Sequence, residues 1–165
     1  MDSLIYIFLA GVFATAAIDI WAEFLGKVFK LPVTNWSMVG RWFGHMPRGK
    51  FIHDQIKNAA PITGEKIIGW SAHYIIGVIY AAFFFLVIVP VLGGQPSLGM
   101  GLAFGLATIF FPWLVMQPGL GLGVFARRVE KPNVIRMINL SIHTIFGVSL
   151  YLGWLLVGNL NFGLK

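Results

Sequence analysis

Four ionisable residues lie in otherwise apolar stretches of the sequence, where their side chains could bind a metal ion or carry protons. Asp19 and Glu23 are four residues apart, a spacing that places both on one face of a helix. His73 and His143 occupy matching positions in two similar segments, SAHYIIGV and SIHTIFGV. An ionisable group inside a bilayer costs several kcal/mol unless it faces protein or water, so these four residues form the candidate functional site.

Three interpretations of these residues stay open from their types alone. Together, the carboxylates and imidazoles could form a nitrogen and oxygen ligand set for a transition metal such as Zn, Fe or Mn, or relay protons for a transported ion or small molecule. His73 and His143 could instead be the axial ligands of a b-type haem, although their position about two turns from the membrane surface disfavours this. Each imidazole could also simply hydrogen-bond a carbonyl or hydroxyl group and hold two helices together.

The elements that position these residues are four stretches long and apolar enough to cross a membrane. The sequence is 58% hydrophobic and 11% charged, with a mean hydropathy of +0.81, which lies outside the range of soluble domains. A spanning helix needs about 20 mostly apolar residues, because lipid offers no partners for backbone N–H and C=O groups. The predicted spans are 4–25, 67–92, 98–116 and 138–160. We therefore expect an all-α, polytopic membrane protein.

The distribution of basic residues predicts the topology. All but one of the Lys and Arg residues lie in the connections 27–66 and 127–136, whereas the connection 93–97 carries no charge. By the positive-inside rule the two basic connections face the cytoplasm, and both chain ends lie outside it. The net charge of +6 is thus attributed to the membrane surface and not to a nucleic-acid partner. Counted from these connections, Asp19 and the two histidines lie at one level, about 9 Å into their helices.

An internal repeat is indicated by the second and fourth predicted spans. The segments SAHYIIGV and SIHTIFGV share Ser, His, Ile, Gly and Val at their first, third, fifth, seventh and eighth positions. In addition, ATAAIDIW in the first span weakly resembles ATIFFPWL in the third. A two-helix unit returns the chain to its starting side, so we predict one membrane domain built from two tandem, parallel repeats, 1–93 and 97–165. Gly77 and Gly147, one turn beyond the histidines, would then allow close helix approach.

The first cytoplasmic connection is too long to be a simple turn, since most connections have about 4–6 residues. It mixes Trp, Phe, Met and Ile with Lys and Arg, which is typical of an amphipathic segment in the headgroup region, and we expect breaks at Pro47 and Pro61. Its basic residues would contact anionic lipid. His45 and His53 are expected to be solvated, because no convergent partner or nucleophile motif accompanies them.

Three segments of the chain carry a resemblance to a known family. They are the runs GRWFGHMPRGKFIHDQI, GEKIIGWSAHYIIGV and FPWLVMQPGLGLGVFARR. Together they resemble an uncharacterised family of small bacterial inner-membrane proteins, a domain of unknown function of about this length. The resemblance covers nearly the whole chain, and it implies a location in the bacterial cytoplasmic membrane without supplying an activity, a cofactor or a catalytic residue.

The function that the sequence favours is cation- or proton-linked transport, or metal binding, at the Asp/His cluster. Because four helices leave little room for a permeation path, we expect a homo-oligomer. The alternatives are a haem- or metal-binding subunit of a redox or enzymatic complex, and a structural partner of a larger membrane complex. No catalytic motif decides whether the chain is an enzyme. The sequence contains no Cys, which excludes thiolate metal sites and thiol chemistry.

Overall fold

The structure, a computed structural model, describes residues 2–158 and the side chains of residues 4–156. Within this range all regular elements are helical. The helices are α1 (Asp2–Phe29), α2 (Trp36–His45), α3 (Glu65–Leu92), α4 (Leu98–Gly119) and α5 (Pro132–Gly158), with 3-10 turns at Met46–Arg48, Ile56–Asn58 and Val124–Ala126.

Among the described residues, α1, α3, α4 and α5 are each long and apolar enough to cross a membrane. This confirms the predicted fold class at the level of an all-helical protein with four helices that could span a membrane. The helices continue past the predicted spans: α1 extends to Phe29, and α5 begins at Pro132, whose fixed φ suits the first turn of a helix. The predicted end of the last span at Leu160, and both chain ends, lie outside the described residues.

The chain divides into two compact units. The described part of the first unit comprises residues 2–31, 74–108 and 141–158, and the second unit comprises residues 32–73 and 109–140. The candidate residues Asp19, Glu23 and His143 belong to the first unit, and His73 belongs to the second.

The first unit has an apolar core rich in aromatic side chains. Tyr6, Phe84 and Leu150 are among its fully buried members, and the Phe84 and Phe104 rings pack with centroids 5.3 Å apart. The outward-facing side chains are apolar as well, for example Ile20 at 72% exposed. An apolar exterior is expected where lipid is the solvent, so hydropathy alone does not separate the core face of these helices from the outer face.

Small residues bring pairs of helices close together in the first unit. Gly77 of α3 packs directly against Thr15 of α1. In the same way, Gly147 of α5 packs against the backbone of Gly101 and Gly105 of α4. Because no side chain intervenes at these points, the backbones approach closely, as is common where membrane helices associate.

The second unit is organised around the amphipathic helix α2. The helix begins after Asn35, whose side-chain oxygen accepts hydrogen bonds from the N–H groups of Ser37 at 3.1 Å and Met38 at 3.4 Å, an N-cap. It ends at His45, before Pro47, as predicted. The buried core of this unit consists of Val39, Trp42, Ile56 and Leu120.

An ion pair between buried Arg41 and half-buried Glu65 lies in the second unit. Arg41 is only 8% exposed, and its Nε and Nη2 atoms donate to the two carboxylate oxygens of Glu65 at 2.8 and 2.9 Å. Arg41 Nη1 also donates to the carbonyl oxygens of Lys57 at 3.3 Å and Ala59 at 3.1 Å. The hydrogen bonds that Arg41 donates to Glu65 raise the pKa of the guanidinium. This two-pronged geometry is available to Arg and not to Lys, and it connects α2 with the first turn of α3.

Two of the spanning helices contain a π-helical turn. In α3 the turn covers Phe84–Ile88 and the Val89 N–H donates to the Phe84 carbonyl, five residues back. In α4 it covers Pro112–Met116 and the Gln117 N–H donates to the Pro112 carbonyl. Proline has no N–H to complete the α-helical pattern, and Pro112 begins its turn, while Pro90 follows the turn in α3.

Candidate functional site

Asp19 lies in α1 and is held by a hydroxyl group from α3. The Tyr74 hydroxyl donates a hydrogen bond to Asp19 Oδ2 at 2.8 Å, within the first unit, and both residues are half-buried. A hydroxyl donor stabilises the charged form of a carboxylate, and bonds of this kind are about twice as strong as those between neutral groups. The structure thus supplies a polar partner for the carboxylate inside a membrane-spanning helix.

His143 in α5 contacts a threonine of α4. The Thr108 hydroxyl lies 2.6 Å from the carbonyl oxygen of Gly105 and 2.8 Å from His143 Nδ1. A hydroxyl has one proton, and in its bond with the Gly105 carbonyl the hydroxyl must donate it, because a carbonyl oxygen can only accept. The Thr108 oxygen then accepts the Nδ1–H of His143, which leaves Nε2 as the basic nitrogen of this ring.

His73 lies in an aromatic setting in the second unit. Its imidazole stacks on the Trp36 ring with centroids 3.9 Å apart and an angle of 26° between the planes. The Trp70 ring meets it edge-on at 5.9 Å. Trp36 is the first residue of α2, so the capped start of that helix positions the stack.

Glu23 has a more exposed position than the other three candidates. Its carboxylate forms an ion pair with Lys27 at 3.0 Å, and the two side chains are 61% and 75% exposed. The spacing of four residues is that of a surface pair on one helix, which contributes about 0.3–0.5 kcal/mol. This arrangement suits a side chain that extends towards the headgroup region.

No group of three or more His, Asp or Glu side chains that could hold a metal ion occurs within the described residues. The sequence reasoning also missed the two hydroxyl partners, Tyr74 and Thr108. Each stands in an apolar span, and a search for hydroxyl residues in those spans would have found both as candidates. Pairing them with Asp19 and His143 requires the rotation of each helix, which the sequence does not give.

The expectation that His45 and His53 are solvated is wrong. The two residues are 7% and 4% exposed, and their rings meet edge to face with centroids 5.2 Å apart. His45 Nε2 lies 2.9 Å from the Ala60 carbonyl oxygen, and His53 Nδ1 lies 3.2 Å from that of Gly119. Burial lowers the pKa of His53 and the nearby charge of Lys50 acts in the same direction, while the hydrogen bond to the Gly119 carbonyl opposes them in part. Backbone carbonyls thus supply the partners that the sequence pattern did not reveal.

A cavity of about 620 Å³ lies in the second unit. Its exposed rim carries charged residues, and its buried floor combines apolar residues with one amide. The rim includes Asp54, Lys57 and Arg128, and the floor includes Val39, Leu120 and Gln117. Gln117 is 2% exposed; its Nε2 donates to Asn139 at 3.0 Å, whereas its Oε1 is buried with no partner in the described structure. This volume is typical of small-molecule sites, which range over about 300–1,000 Å³.

Comparison with known proteins places the chain in a family. The family model of a protein of unknown function matches residues 8–157. No curated protein matches the chain, and no solved structure matches it. The family match covers the segments that carried the resemblance in the sequence and confirms that resemblance.

Proposed function

This chain belongs to the DUF2938 family of proteins of unknown function, and we propose that it is a proton-linked transport protein of the bacterial inner membrane in which Asp19 carries the proton. The observation that supports this proposal is the hydrogen bond from the Tyr74 hydroxyl to the Asp19 carboxylate, between two membrane-spanning helices. A carboxylate in a span is costly and marks an ion or proton pathway by default. Tyr74 supplies a neutral donor, which lowers the cost of the charged form and still permits protonation.

His143 supplies a second protonatable group in the same unit. With Nδ1–H held by Thr108, its Nε2 is the atom that would accept a proton. The Thr108 contact also fits a histidine that only holds α4 against α5, so Asp19 and not His143 carries the proposal. His73 lies in the second unit, where its stack on Trp36 would fix the plane of its ring.

One alternative is that the same residues bind a metal ion, Zn, Fe or Mn. A second, less favoured alternative is that the two histidines bind a haem. A stable metal site in a protein uses three or four protein ligands. The described residues contain no such group, and the ion pair of Glu23 with Lys27 draws that carboxylate towards the surface. These observations favour proton transfer over metal binding.

The proposed architecture is two tandem parallel repeats with both chain ends outside the cytoplasm, assembled as a homo-oligomer. Two contacts in the first unit support the repeat. Gly77 packs on Thr15, and Gly147 packs on Gly101 and Gly105, so in each predicted repeat the second helix contacts the first through a glycine. Thr15 and Thr108 also each donate their hydroxyl group to a glycine carbonyl of their own helix, at 2.8 and 2.6 Å.

The proposal is tested by proton uptake into vesicles that contain the purified full chain and a pH-sensitive dye. Under an imposed inside-negative potential, we expect the wild type to acidify the lumen faster than protein-free vesicles do. Asp19→Asn should abolish this uptake, because an amide keeps a hydrogen-bond acceptor for Tyr74 but cannot carry a proton. Glu23→Gln is the matched control, since it removes an exposed carboxylate one turn away and should leave uptake unchanged.

Two outcomes would contradict the proposal. One is uptake by Asp19→Asn at the wild-type rate, and the other is a wild type that is no faster than empty vesicles. Metal analysis of the same preparation tests the alternative of a metal site. One Zn, Fe or Mn ion per chain that is lost in His143→Ala would indicate a bound metal in place of a carried proton.

A further inference from the structure

We propose that the cavity in the second unit binds an amphiphile with a phosphate-bearing, net anionic head group and an apolar body, that is, an anionic phospholipid of the membrane. This inference is independent of proton transfer by Asp19. It rests on the charges of the rim, the apolar floor and one unpartnered amide oxygen.

The rim of the cavity carries an excess of positive charge. Lys57 and Arg128 both line it, against the single carboxylate of Asp54. Within the part of the chain that the structure describes, neither cation lies within ion-pairing distance of a carboxylate. Two uncompensated cations beside one cavity are complementary to a phosphate group, which binds Arg and Lys through charge-assisted hydrogen bonds.

Arg128 is held in position by an ordered turn. Its N–H donates to the Leu122 carbonyl at 2.9 Å. In the same turn, Arg136 Nε donates to the Phe125 carbonyl at 2.9 Å, and the Phe125 ring packs on Trp113 with centroids 5.1 Å apart. The backbone that carries the Arg128 guanidinium is therefore fixed beside the cavity, as a binding site for a head group requires.

The floor of the cavity does not suit a free inorganic anion. Val39, Ile56 and Leu120 are all buried and apolar, and a hydrated ion would gain nothing from them. A ligand with an acyl chain would exclude water from these side chains. The combination of a cationic rim and an apolar floor therefore selects an amphiphile.

Gln117 adds a polar contact at the floor. Its Oε1 atom is buried with no partner in the described structure, while its Nε2 atom is engaged by Asn139. An unpartnered buried acceptor is destabilising, and most such groups have a partner in a native protein or its ligand. The ligand must therefore present a hydrogen-bond donor beside its apolar part, and the glycerol hydroxyl groups of phosphatidylglycerol are donors of this kind.

The test is native mass spectrometry of the purified full chain in neutral detergent with three probes at equal concentration. They are dioleoyl phosphatidylglycerol, dioleoyl phosphatidylcholine and glycerol 3-phosphate. We expect phosphatidylglycerol to be retained at least about tenfold more tightly than phosphatidylcholine, which has the same chains and no net charge. Glycerol 3-phosphate, which is a head group without chains, should not bind measurably.

Two neighbouring arginines provide a matched pair of variants. Arg127 and Arg128 are both exposed, but only Arg128 lines the cavity. Arg128→Gln should weaken phosphatidylglycerol binding about tenfold, and Lys57→Gln should act in the same direction. Arg127→Gln should change it by less than about twofold. Because all three residues are exposed, we expect the melting temperatures to stay close to that of the wild type.

Three outcomes would overturn the proposal. Equal retention of phosphatidylglycerol and phosphatidylcholine would show that the rim residues do not select the ligand by the charge of its head group. Equal losses in Arg127→Gln and Arg128→Gln would show only diffuse attraction to the basic surface. Binding of glycerol 3-phosphate that displaces phosphatidylglycerol would make the cavity a site for a soluble anion.

Discussion

Buried His53 links the stability of the second unit to pH. Its Nδ1–H donates to the Gly119 carbonyl, and its Nε2 is buried with no partner in the described structure, so the ring is accommodated in its neutral form. Burial lowers its pKa below the ordinary value of 6.5. The unfolded chain therefore binds a proton at a higher pH than the folded chain does, and the stability contributed by neutral His53 is lost as the pH falls below about 6.5.

We predict that His53→Asn reduces this pH dependence. The amide N–H of Asn can still donate to the Gly119 carbonyl but does not titrate. The measurement is the difference in melting temperature of the purified protein between about pH 7.5 and pH 5.5, which should be smaller in the variant than in the wild type. An unchanged difference would assign the acid sensitivity to another group, of which His45 is the nearest ring.

Arg41 is the residue whose loss should damage the second unit most. Arg41→Ala leaves the Glu65 carboxylate without its cationic partner and removes a donor from two carbonyl groups. Breaking a largely buried pair in this way costs about 3–5 kcal/mol. Arg41→Lys should rescue little of this loss, because an ammonium group cannot form both bonds to the carboxylate.

The measurement is the rate of proteolysis of the connection 46–64 in detergent, with Arg48→Ala as the control for an exposed arginine. If Arg41→Ala were cleaved at the wild-type rate, the ion pair would contribute little to the stability of the second unit. A matched Arg41→Met and Glu65→Met double variant should be less damaged than Arg41→Ala, because it leaves no buried charge unpaired.

The candidate residues were predictable one by one, but their partners were not. Asp19 and His143 attract attention because an ionisable group in an apolar span is rare. Their actual contacts, Tyr74 and Thr108, depend on how each helix is rotated, and spans that are apolar on all sides carry little information about rotation. His53 shows the same limit, because its partner is a backbone carbonyl, which every residue has.

At the scale of elements, the contact between α4 and α5 depends on a glycine. A Cβ at Gly147 would lie 3.2 Å from the Gly105 Cα and would collide with the Gly101 carbonyl oxygen. Backbone atoms cannot rotate away as a side chain can. We predict that Gly147→Ala separates the two helices at a cost of about 1–3 kcal/mol or more.

The matched control for this prediction is Gly99→Ala in α4, where the nearest atom to a new Cβ is 4.0 Å away. Both substitutions add one methyl group to a helix, and only Gly147→Ala meets backbone. The fraction of protein that stays monodisperse in detergent on heating should fall for Gly147→Ala and stay constant or rise for Gly99→Ala. Equal behaviour of the two variants would contradict the close contact.

The spanning helices and the second unit differ in how well the sequence predicts them. The spans follow from length and hydropathy, because lipid leaves only the helix to satisfy the backbone. All four appear in the structure, and where a predicted bound lies among the described residues it is met to within six residues. The connection after α1 mixes apolar and basic residues, which indicated a surface segment. In the structure this connection contributes Trp42 and Ile56 to the core of the second unit and buries Arg41, and these long-range contacts leave no periodic pattern.

At the scale of the whole molecule, the absence of Cys allows a direct test of the predicted topology. A single introduced thiol is the only site that a membrane-impermeant maleimide can label. We predict that Gln95→Cys is labelled from outside intact cells, because the connection 93–97 carries no positive charge. Arg48→Cys should be labelled only after the membrane is opened. The opposite pattern would reverse the orientation.

The π-helical turn in α4 contains one residue more than a regular α-helical turn would. An α-helix advances by about 100° per residue, so a turn with one extra residue shifts every later side chain of that helix by this angle. Deleting a single residue within Pro112–Met116 would let the helix close as a regular one, and Gln117 would leave the floor of the cavity. The exact number of residues in this segment thus decides whether Gln117 lies at the floor of the cavity. A related sequence with a one-residue deletion here would lack this polar group and would bind a different ligand.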